Sequence, residues 1–156
     1  MAKEVKTRSR IRNSASVPPS ECIFCKIVAR ELPSAIVYED DEYIAFLDKA
    51  PFNEGHTLVC PRKHGETVWD MTEEAIGGLF ALAAKISRAV VEATGTDGFR
   101  FVQNNGEAAN QAVAHVHVHV IPVKLAHKGQ WMDRKVIEPD EMNLIAERIR
   151  SALKKL

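Results

Sequence analysis

Short apolar runs along the chain predict five β-strands separated by turn-forming residues. Apolar and polar positions alternate where one face of a strand is buried, and stay apolar where both faces are covered. Between the first two strands, residues 39–42 form an all-acidic run that is typical of a solvated hairpin turn. The strands are predicted over residues 35–39, 43–48, 56–60, 99–104 and 114–123.

A longer apolar repeat with helical spacing predicts one long helix between Thr72 and Gly95, which suit its N-cap and its C-terminal stop. Gly77 and Gly78 weaken its first turns, which we interpret as close packing against the sheet. A second amphipathic helix is predicted from Pro139. Strands joined by hairpins, with helices packed on one side, indicate an α+β fold with a five-stranded antiparallel sheet.

The first 20 residues differ in composition from the rest of the chain. They carry five Lys or Arg against one Glu and few large apolar residues. We therefore predict a disordered basic tail over 1–20 and a folded domain over 21–156. Transit peptides share this basic, serine-containing composition, so organelle targeting is the alternative to a cytoplasmic location.

The composition as a whole narrows the class of protein. The 156 residues suit a single domain with its own core. The formal net charge is zero and the basic surplus is confined to the tail, so no specific nucleic-acid surface is expected. No apolar run approaches the roughly 18 residues of a membrane span, so no membrane partner is expected. Three cysteines indicate a metal site or buried thiols and not a disulfide framework.

Three histidines, His115, His117 and His119, alternate with valines in the last predicted strand. In a strand, this spacing puts the imidazoles on one face, about 6–7 Å apart, and the valines on the other. Imidazole titrates near neutral pH, so such a row offers a nucleophile, a proton donor and a metal ligand. A polar sheet face is the bland alternative, and a pure metal site is another, although it leaves more histidines than a tetrahedral centre needs.

Cys22 and Cys25 form a Cys-x-x-Cys pair at the predicted start of the domain. Thiolates at this spacing can occupy two corners of a tetrahedral zinc site, so two further ligands must come from elsewhere. A redox pair is the alternative, but thioredoxin-like motifs follow a strand in a βαβ unit, and no strand is predicted here. Cys60 lies in an apolar strand and is interpreted as a small buried hydrophobic residue.

Together these segments resemble the histidine triad (HIT) family, in its Hint-like branch with a zinc-binding Cys-x-x-Cys. The family motif is His-φ-His-φ-His-φ-φ, where φ is hydrophobic, and HVHVHVI at residues 115–121 matches it in full. The resemblance runs through residues 22–41, 45–64 and 103–122, and spans roughly two thirds of the chain. It implies a HIT-type sheet with one long helix and a C-terminal helix.

The resemblance implies a catalytic role for three histidines. His117, the middle one of the motif, would attack the α-phosphorus of a purine nucleotide conjugate and form a nucleotidyl-histidine intermediate. His119 would contact the phosphate oxygens, and His56 would complete the cluster. The implied nucleotide contacts are Asp48 with the ribose hydroxyls, Phe24, Ile27 and Phe46 around the base, and Asn104, Gln111 and Ala112 near the phosphate.

A cofactor and an assembly are also expected. The resemblance implies a structural zinc ion (Zn²⁺) held by two thiolates and two imidazoles, those of Cys22, Cys25, His64 and His115. Independently of the resemblance, a five-stranded sheet leaves an open edge, from which we predict a symmetric homodimer.

The segment before the triad departs from the family pattern, which reads Gly-Gln-Ser or Gly-Gln-Thr. Here it reads Asn110-Gln111-Ala112. Asn tolerates positive φ, so Asn110 is expected to keep the turn. Ala112 lacks the hydroxyl that helps family members to bind the phosphate or assist the leaving group, which predicts a weaker enzyme. Residues 124–135 also depart and are interpreted as a surface loop, from which Trp131 or His127 could alternatively reach a dimer partner's site.

Three functions fit these residues. The first is a nucleoside phosphoramidase, which cleaves P–N bonds in purine nucleotide conjugates. The second is a Fhit-like dinucleoside polyphosphate hydrolase with the same nucleophile and a longer substrate. The third is a nucleotide-binding interaction module with weak catalysis, an alternative supported by Ala112 and by the basic tail.

Overall fold

A computed structural model describes residues 11–156 of the chain. They form a five-stranded antiparallel sheet in the order β1-β2-β3-β5-β4, which confirms the α+β prediction. No helix in this range is both long and apolar enough to cross a membrane. The elements are α1 (Ile23–Val28), β1 (Ile36–Glu39), β2 (Tyr43–Leu47), β3 (Thr57–Pro61), α2 (Glu73–Thr94), β4 (Gly98–Val102), β5 (Val118–Val123) and α3 (Pro139–Leu153).

The sheet separates two apolar clusters. Because successive side chains of a strand point to opposite faces, Ala45 and Val59 belong to the cluster that α2 and α3 cover, whereas Phe46 and Leu58 belong to the other. The second, smaller cluster is closed by α1 through Phe24. The predicted site residues lie on this second face, so α1 serves as a wall of the site.

Helix α2 begins and ends at the residues that its capping pattern predicts. The Thr72 side chain accepts a backbone hydrogen bond from the first turn at 3.1 Å, and Gly95 ends the helix in the left-handed conformation with φ 60°. A Cβ at Gly78 would collide with the Tyr43 hydroxyl, so close packing against the sheet excludes a side chain there. Gly77 has no such neighbour, and that part of the interpretation was wrong.

Helix α1 has no counterpart among the predicted elements. It is six residues long, has Cys22 as its N-cap and buries Phe24. A helix this short shows too few turns for an apolar repeat to be visible in the sequence. Its importance lies in the site, because it places Cys22 and Cys25 about one turn apart at its N-terminal end.

Strand β5 begins at Val118, four residues later than predicted. The preceding residues leave the ladder because the backbone N–H of Val116 donates to Gly65 O, at 2.8 Å, in the loop that follows β3. The alternation of the histidine motif continues through this irregular segment. Val116, Val118 and Val120 are all buried in the larger cluster, so the three histidines face the other side.

Residues 124–138, predicted as a surface loop over most of their length, form one rim of the site in their own chain. The N–H of Ile137 donates to Lys49 O at 3.0 Å, so the segment runs beside the loop that follows β2. The Trp131 ring packs edge-on against Phe52, with centroids 5.3 Å apart. Trp131 lines the cavity of its own chain.

Residues 11–20, the described half of the predicted tail, lie against the domain. Glu107 N donates to Arg12 O at 3.0 Å, and Asn13 Nδ2 donates to Gln111 Oε1 at 3.2 Å. These ten residues therefore have contacts that a disordered tail would lack. The rest of the predicted tail, residues 1–10, lies outside the described residues.

Candidate functional site

A cavity of about 1010 Å³ lies on the face of the smaller cluster, and small-molecule sites typically have volumes of roughly 300–1,000 Å³. Gln111 and His56, two other predicted site residues, lie behind its wall and are 3% and 1% exposed. The predicted catalytic and nucleotide-binding residues that line the cavity are Phe24, Ile27, Phe46, Asp48, Asn104, Ala112, His117 and His119.

The imidazole of His117 is held in one tautomer. Its Nδ1 lies 2.6 Å from the backbone oxygen of His115, so Nδ1 carries the proton and donates it to that carbonyl. Burial lowers the pKa of His117, against the opposing effects of this hydrogen bond and of Asp48. At neutral pH the ring is therefore uncharged, and Nε2 keeps an unprotonated lone pair.

The other two catalytic candidates, His56 and His119, are joined by a hydrogen bond. His119 has the opposite tautomer to His117, as its hydrogen bonds show. The N–H of Phe52 donates to His56 Nδ1 at 3.2 Å, so the proton of a neutral His56 is on Nε2. That Nε2 lies 2.9 Å from His119 Nδ1 and donates to it, which leaves the proton of His119 on its own Nε2. The cavity thus contains a lone pair from His117 and an N–H donor from His119.

Burial keeps both His56 and His119 neutral. It lowers the pKa of His56 to about 3, with a further contribution from Arg134 and His117. It also lowers the pKa of His119 to about 3, with contributions from His117 and His56. Two uncharged imidazoles can bring these nitrogen atoms within 2.9 Å of each other without the repulsion that two imidazolium ions would suffer.

Helix α1 contributes the aromatic wall of the cavity. The Phe24 ring contacts Phe46 edge-on at a centroid distance of 5.2 Å, and contacts the His117 ring at 5.1 Å. Both phenylalanines are buried, at 4% and 2% exposed. The base wall and the candidate nucleophile are therefore packed into one rigid cluster.

The Asp48 carboxylate is already engaged at both oxygens. Oδ1 accepts from Ala50 N at 2.9 Å, and Oδ2 accepts from Arg134 Nη2 at 2.6 Å. Arg134 also stacks on the Phe52 ring, 4.8 Å from the centroid. Sequence reasoning missed Arg134, because a single arginine in the stretch that departs from the family pattern carries no local signal of its partner.

The four predicted metal ligands lie together. Cys22 Sγ is 3.5 Å from His115 Nδ1, and Cys25 Sγ is 3.4 Å from His64 Nδ1 and 3.6 Å from His115 Nδ1. All four ligand atoms lie within 4.8 Å of one another. Ligands at zinc distances of about 2.0–2.3 Å in a tetrahedron are separated by roughly 3.3–3.8 Å, so this donor set fits zinc.

The second ring nitrogen of His115 supports its role as a ligand. Nε2 lies 2.7 Å from Pro61 O and donates to it, which leaves Nδ1 unprotonated and turned toward the two thiols. This carbonyl contact is the usual way in which a metal-binding histidine is oriented. Burial and the adjacent Cys22 raise the pKa of the metal-free Cys25 thiol to about 11.

The loop before the triad keeps the turn that the family pattern implies. Asn110 adopts the left-handed conformation, with φ 61°, as predicted. Ala112 is exposed and lines the cavity beside His117. Gln111 does not line the cavity, because its side-chain amide points into the protein and bonds to the backbone on both sides of the loop.

Known proteins are similar to this chain in sequence and in fold. The chain is 35% identical over 136 residues to adenosine 5′-monophosphoramidase hnt1 of Schizosaccharomyces pombe, which covers 85% of this chain and 98% of that protein. It is 38% identical over 110 residues to adenylylsulfatase HINT3 of Arabidopsis thaliana, which covers 70% of this chain and 56% of that protein.

A solved structure carries the same arrangement of elements. The crystal structure of a zinc-bound histidine triad family protein from Mycobacterium smegmatis matches with a TM-score of 0.79 and 34% identity, over 88% of this chain and 96% of that one. A family model of the HIT domain matches residues 29–125, well over half of the sequence. The chain therefore belongs to the HIT domain family.

Proposed function

We propose that this protein is a nucleoside phosphoramidase, which cleaves purine nucleotide conjugates at the α-phosphate through a nucleotidyl-His117 intermediate. The observation that carries the proposal is the pair of opposite tautomers in one cavity, a lone pair on His117 Nε2 beside an N–H on His119 Nε2. The names of the relatives, a phosphoramidase and an adenylylsulfatase, support nucleotide hydrolysis in general.

The proposed reaction has two steps at one phosphorus atom. His117 Nε2 attacks and an N–P bond forms to the imidazole, while the P–N bond to the leaving amine breaks with its electron pair on the amine nitrogen, which takes up a proton from solvent in the cavity. Water then attacks the same phosphorus and releases a proton to solvent, and the bond between phosphorus and Nε2 breaks, which frees the nucleotide and restores neutral His117. The N–H of His119 donates to a phosphate oxygen in both steps, where negative charge builds up.

The rest of the cavity supports a nucleoside. Apolar walls from Phe24, Ile27 and Phe46 suit a purine ring, and the Asp48 carboxylate suits the vicinal ribose hydroxyls. Asn104 lines the same cavity and is proposed to donate its amide to the phosphate.

Hydrolysis of adenosine 5′-phosphoramidate tests the proposal. Wild type is expected to cleave it, and His117→Ala is expected to abolish turnover while AMP still binds. His127→Ala, a histidine outside the cluster, should keep full activity. No cleavage by wild-type protein that still binds AMP would instead favour a nucleotide-binding interaction module.

A dinucleoside polyphosphate hydrolase is the second candidate. Val136 and Met142 also line the cavity, whose volume of about 1010 Å³ offers room for a substrate larger than a mononucleotide. Diadenosine triphosphate assayed beside the amidate separates the two candidates. Faster cleavage of the dinucleotide would replace the phosphoramidase proposal with this one.

We also propose that Cys22, Cys25, His64 and His115 hold one structural zinc ion. The separations of their ligand atoms and the carbonyl contact of His115 support it. So does the zinc-bound relative from Mycobacterium smegmatis. Zinc would join α1 to the segment that precedes β5, and would therefore stabilise the wall of the cavity without entering the reaction.

A homodimer through the edge strand β4 is proposed for the assembly. Phe99 and Phe101 stand on this strand and are 45% and 36% exposed. Exposed aromatic rings on an open sheet edge favour association. Light scattering should give twice the chain mass of 17.4 kDa for wild type, and the single chain mass for Phe99→Lys. A wild-type monomer would overturn this part of the proposal.

A further inference from the structure

A short segment at the N-terminus lies across the loop that precedes the histidine motif. We call residues 11–17 the N-terminal arm and residues 106–112 the triad loop. Two hydrogen bonds join the arm to the loop: Glu107 N donates to Arg12 O at 3.0 Å, and Ser14 N donates to the Glu107 carboxylate at 3.2 Å.

The arm is anchored at both ends of this contact. Near its start, Ile11 covers Gly106, where a Cβ would lie only 2.6 Å from Ile11 Cγ2. Near its end, the Ser16 hydroxyl donates to the Glu66 carboxylate, and Val17 packs against the smaller apolar cluster. The arm therefore contacts the triad loop at its start and the adjoining part of the domain at its end.

The central contact joins Asn13 to Gln111. The Gln111 amide nitrogen donates to Glu66 O at 2.5 Å and to Val113 O at 3.1 Å, so its oxygen must face the other way. That oxygen accepts from Gly106 N at 2.7 Å and from Asn13 Nδ2 at 3.2 Å. Asn13 thus supplies the fourth hydrogen bond to a side chain that is 3% exposed and that spans the loop from end to end.

The opposite side of the triad loop faces the nucleotide cavity. Ala109, Asn110 and Ala112 line that cavity together with His117, whereas Gln111 does not. The arm and the proposed phosphate position therefore lie on the two sides of one short loop. A change in how the arm holds Gln111 therefore acts on the loop at the proposed phosphate end of the cavity.

We propose that Asn13 is a positioning residue which, through Gln111, holds the triad loop in the conformation that receives the phosphate of a nucleotide. The inference rests on the proposed function, because it assumes that a nucleotide phosphate occupies this end of the cavity. It assigns to the N-terminal arm a role in phosphate binding that is separate from the base and ribose contacts.

The isosteric change Asn13→Asp tests the inference in the full-length protein. It replaces the donor by a carboxylate oxygen that faces the acceptor oxygen of Gln111. Titration calorimetry with AMP and with adenosine should show a selective effect. The Kd of AMP is expected to rise roughly fivefold or more, as for one lost hydrogen bond, and the Kd of adenosine is expected to stay unchanged.

Two further variants separate positioning from charge. Ser20→Asp adds the same charge to an exposed residue next to the arm and should leave both Kd values unchanged. Asn13→Ala removes the donor without adding charge and should still weaken AMP selectively, which long-range repulsion of the phosphate would not explain. The melting temperature of each variant reports whether the fold is intact.

The outcomes are distinct. Equal weakening of AMP and adenosine, or a fall in melting temperature with no change in either Kd, would overturn the positioning role and leave the proposed function standing. Wild-type protein that binds neither ligand would overturn the proposed function, and the inference with it. Selective loss of AMP affinity in both Asn13 variants supports the proposal.

Discussion

Arg134 Nη2 lies 2.6 Å from Asp48 Oδ2, so the carboxylate proposed to bind the ribose already holds an ion pair. The two residues are 86 positions apart in the chain. Asp48 is 9% exposed, whereas the Arg134 side chain is 42% exposed and stacks on Phe52. A ribose that donates to Oδ2 would therefore compete with the guanidinium, and Arg134 is the more exposed partner of the pair.

The first prediction concerns this competition. Arg134→Met keeps an apolar stem on Phe52 and removes the guanidinium, so it should lower the KM for adenosine 5′-phosphoramidate. A partly exposed ion pair contributes about 0–1 kcal/mol, so the decrease should be at most about fivefold, with kcat unchanged. Steady-state kinetics at low salt measures it.

A substrate without ribose hydroxyls provides the control for this prediction. The 2′,3′-dideoxy analogue cannot donate to Asp48, so its KM should be the same for wild type and for Arg134→Met. A rise in KM for both substrates would show instead that Arg134 contacts the bound nucleotide directly.

The second prediction concerns zinc. Protein purified without chelator should contain about one zinc ion per chain, and a chelator should lower its melting temperature, because the two thiolates and two imidazoles would lose their common ligand. Cys22→Ser should lose both the metal and the response to chelator. Elemental analysis and thermal denaturation measure the two quantities.

Cys60→Ala is the matched control for the zinc experiment. Cys60 is buried and lies outside the group of four ligands, so this variant should retain one zinc ion even if its packing is altered. Wild-type protein with neither bound zinc nor a thermal response to chelator would contradict the zinc site.

Local sequence signals predict most of the fold because most elements are fixed by their own residues. Helix α2 spans the distance between its predicted caps, Thr72 and Gly95. The start of β5 was misplaced because it depends on the hydrogen bond between Val116 and Gly65, which are distant in sequence. No periodic pattern reports a contact of that kind.

The functional site likewise combines residues that sequence patterns predict with residues that they do not. The histidine motif and the Cys-x-x-Cys pair are visible as patterns, and the structure brings their partners together. Arg134 and Asn13 are invisible to such reasoning, because each acts on a residue more than 80 positions away, Asp48 and Gln111 respectively. The sequence also suggested that Gln111 contacts the nucleotide, whereas its side chain supports the loop from behind.

The third prediction concerns acid stability. Burial lowers the pKa of His56 and of His119 from 6.5 to about 3. Above pH 6.5 both rings are neutral in the folded and unfolded states, so neither contributes a pH dependence. As the pH falls from 6.5 toward 3, the unfolded chain binds protons that the folded chain does not. The free energy of unfolding should therefore decrease, by up to about 1.4 kcal/mol per pH unit for each histidine.

Urea denaturation between about pH 5 and pH 7.5 measures this slope. His119→Asn removes one titrating group from the cluster and should flatten the slope. The comparison between variants matters because acid also protonates the proposed zinc ligands. A slope that is the same in wild type and in His119→Asn would contradict the pKa shift of His119.

The fourth prediction concerns the missing hydroxyl of the triad loop. Ala112 is exposed to the cavity beside His117, so the hydroxyl of Ala112→Ser can reach the phosphate or the leaving group. One added hydrogen bond of about 1 kcal/mol corresponds to a rise of roughly fivefold in kcat/KM for the phosphoramidate. Ala108→Ser makes the same change at an exposed residue of the loop that does not line the cavity, and should leave kcat/KM unchanged. Equal rates for wild type and Ala112→Ser would mean that the backbone of the loop, and not a hydroxyl at this position, meets the phosphate.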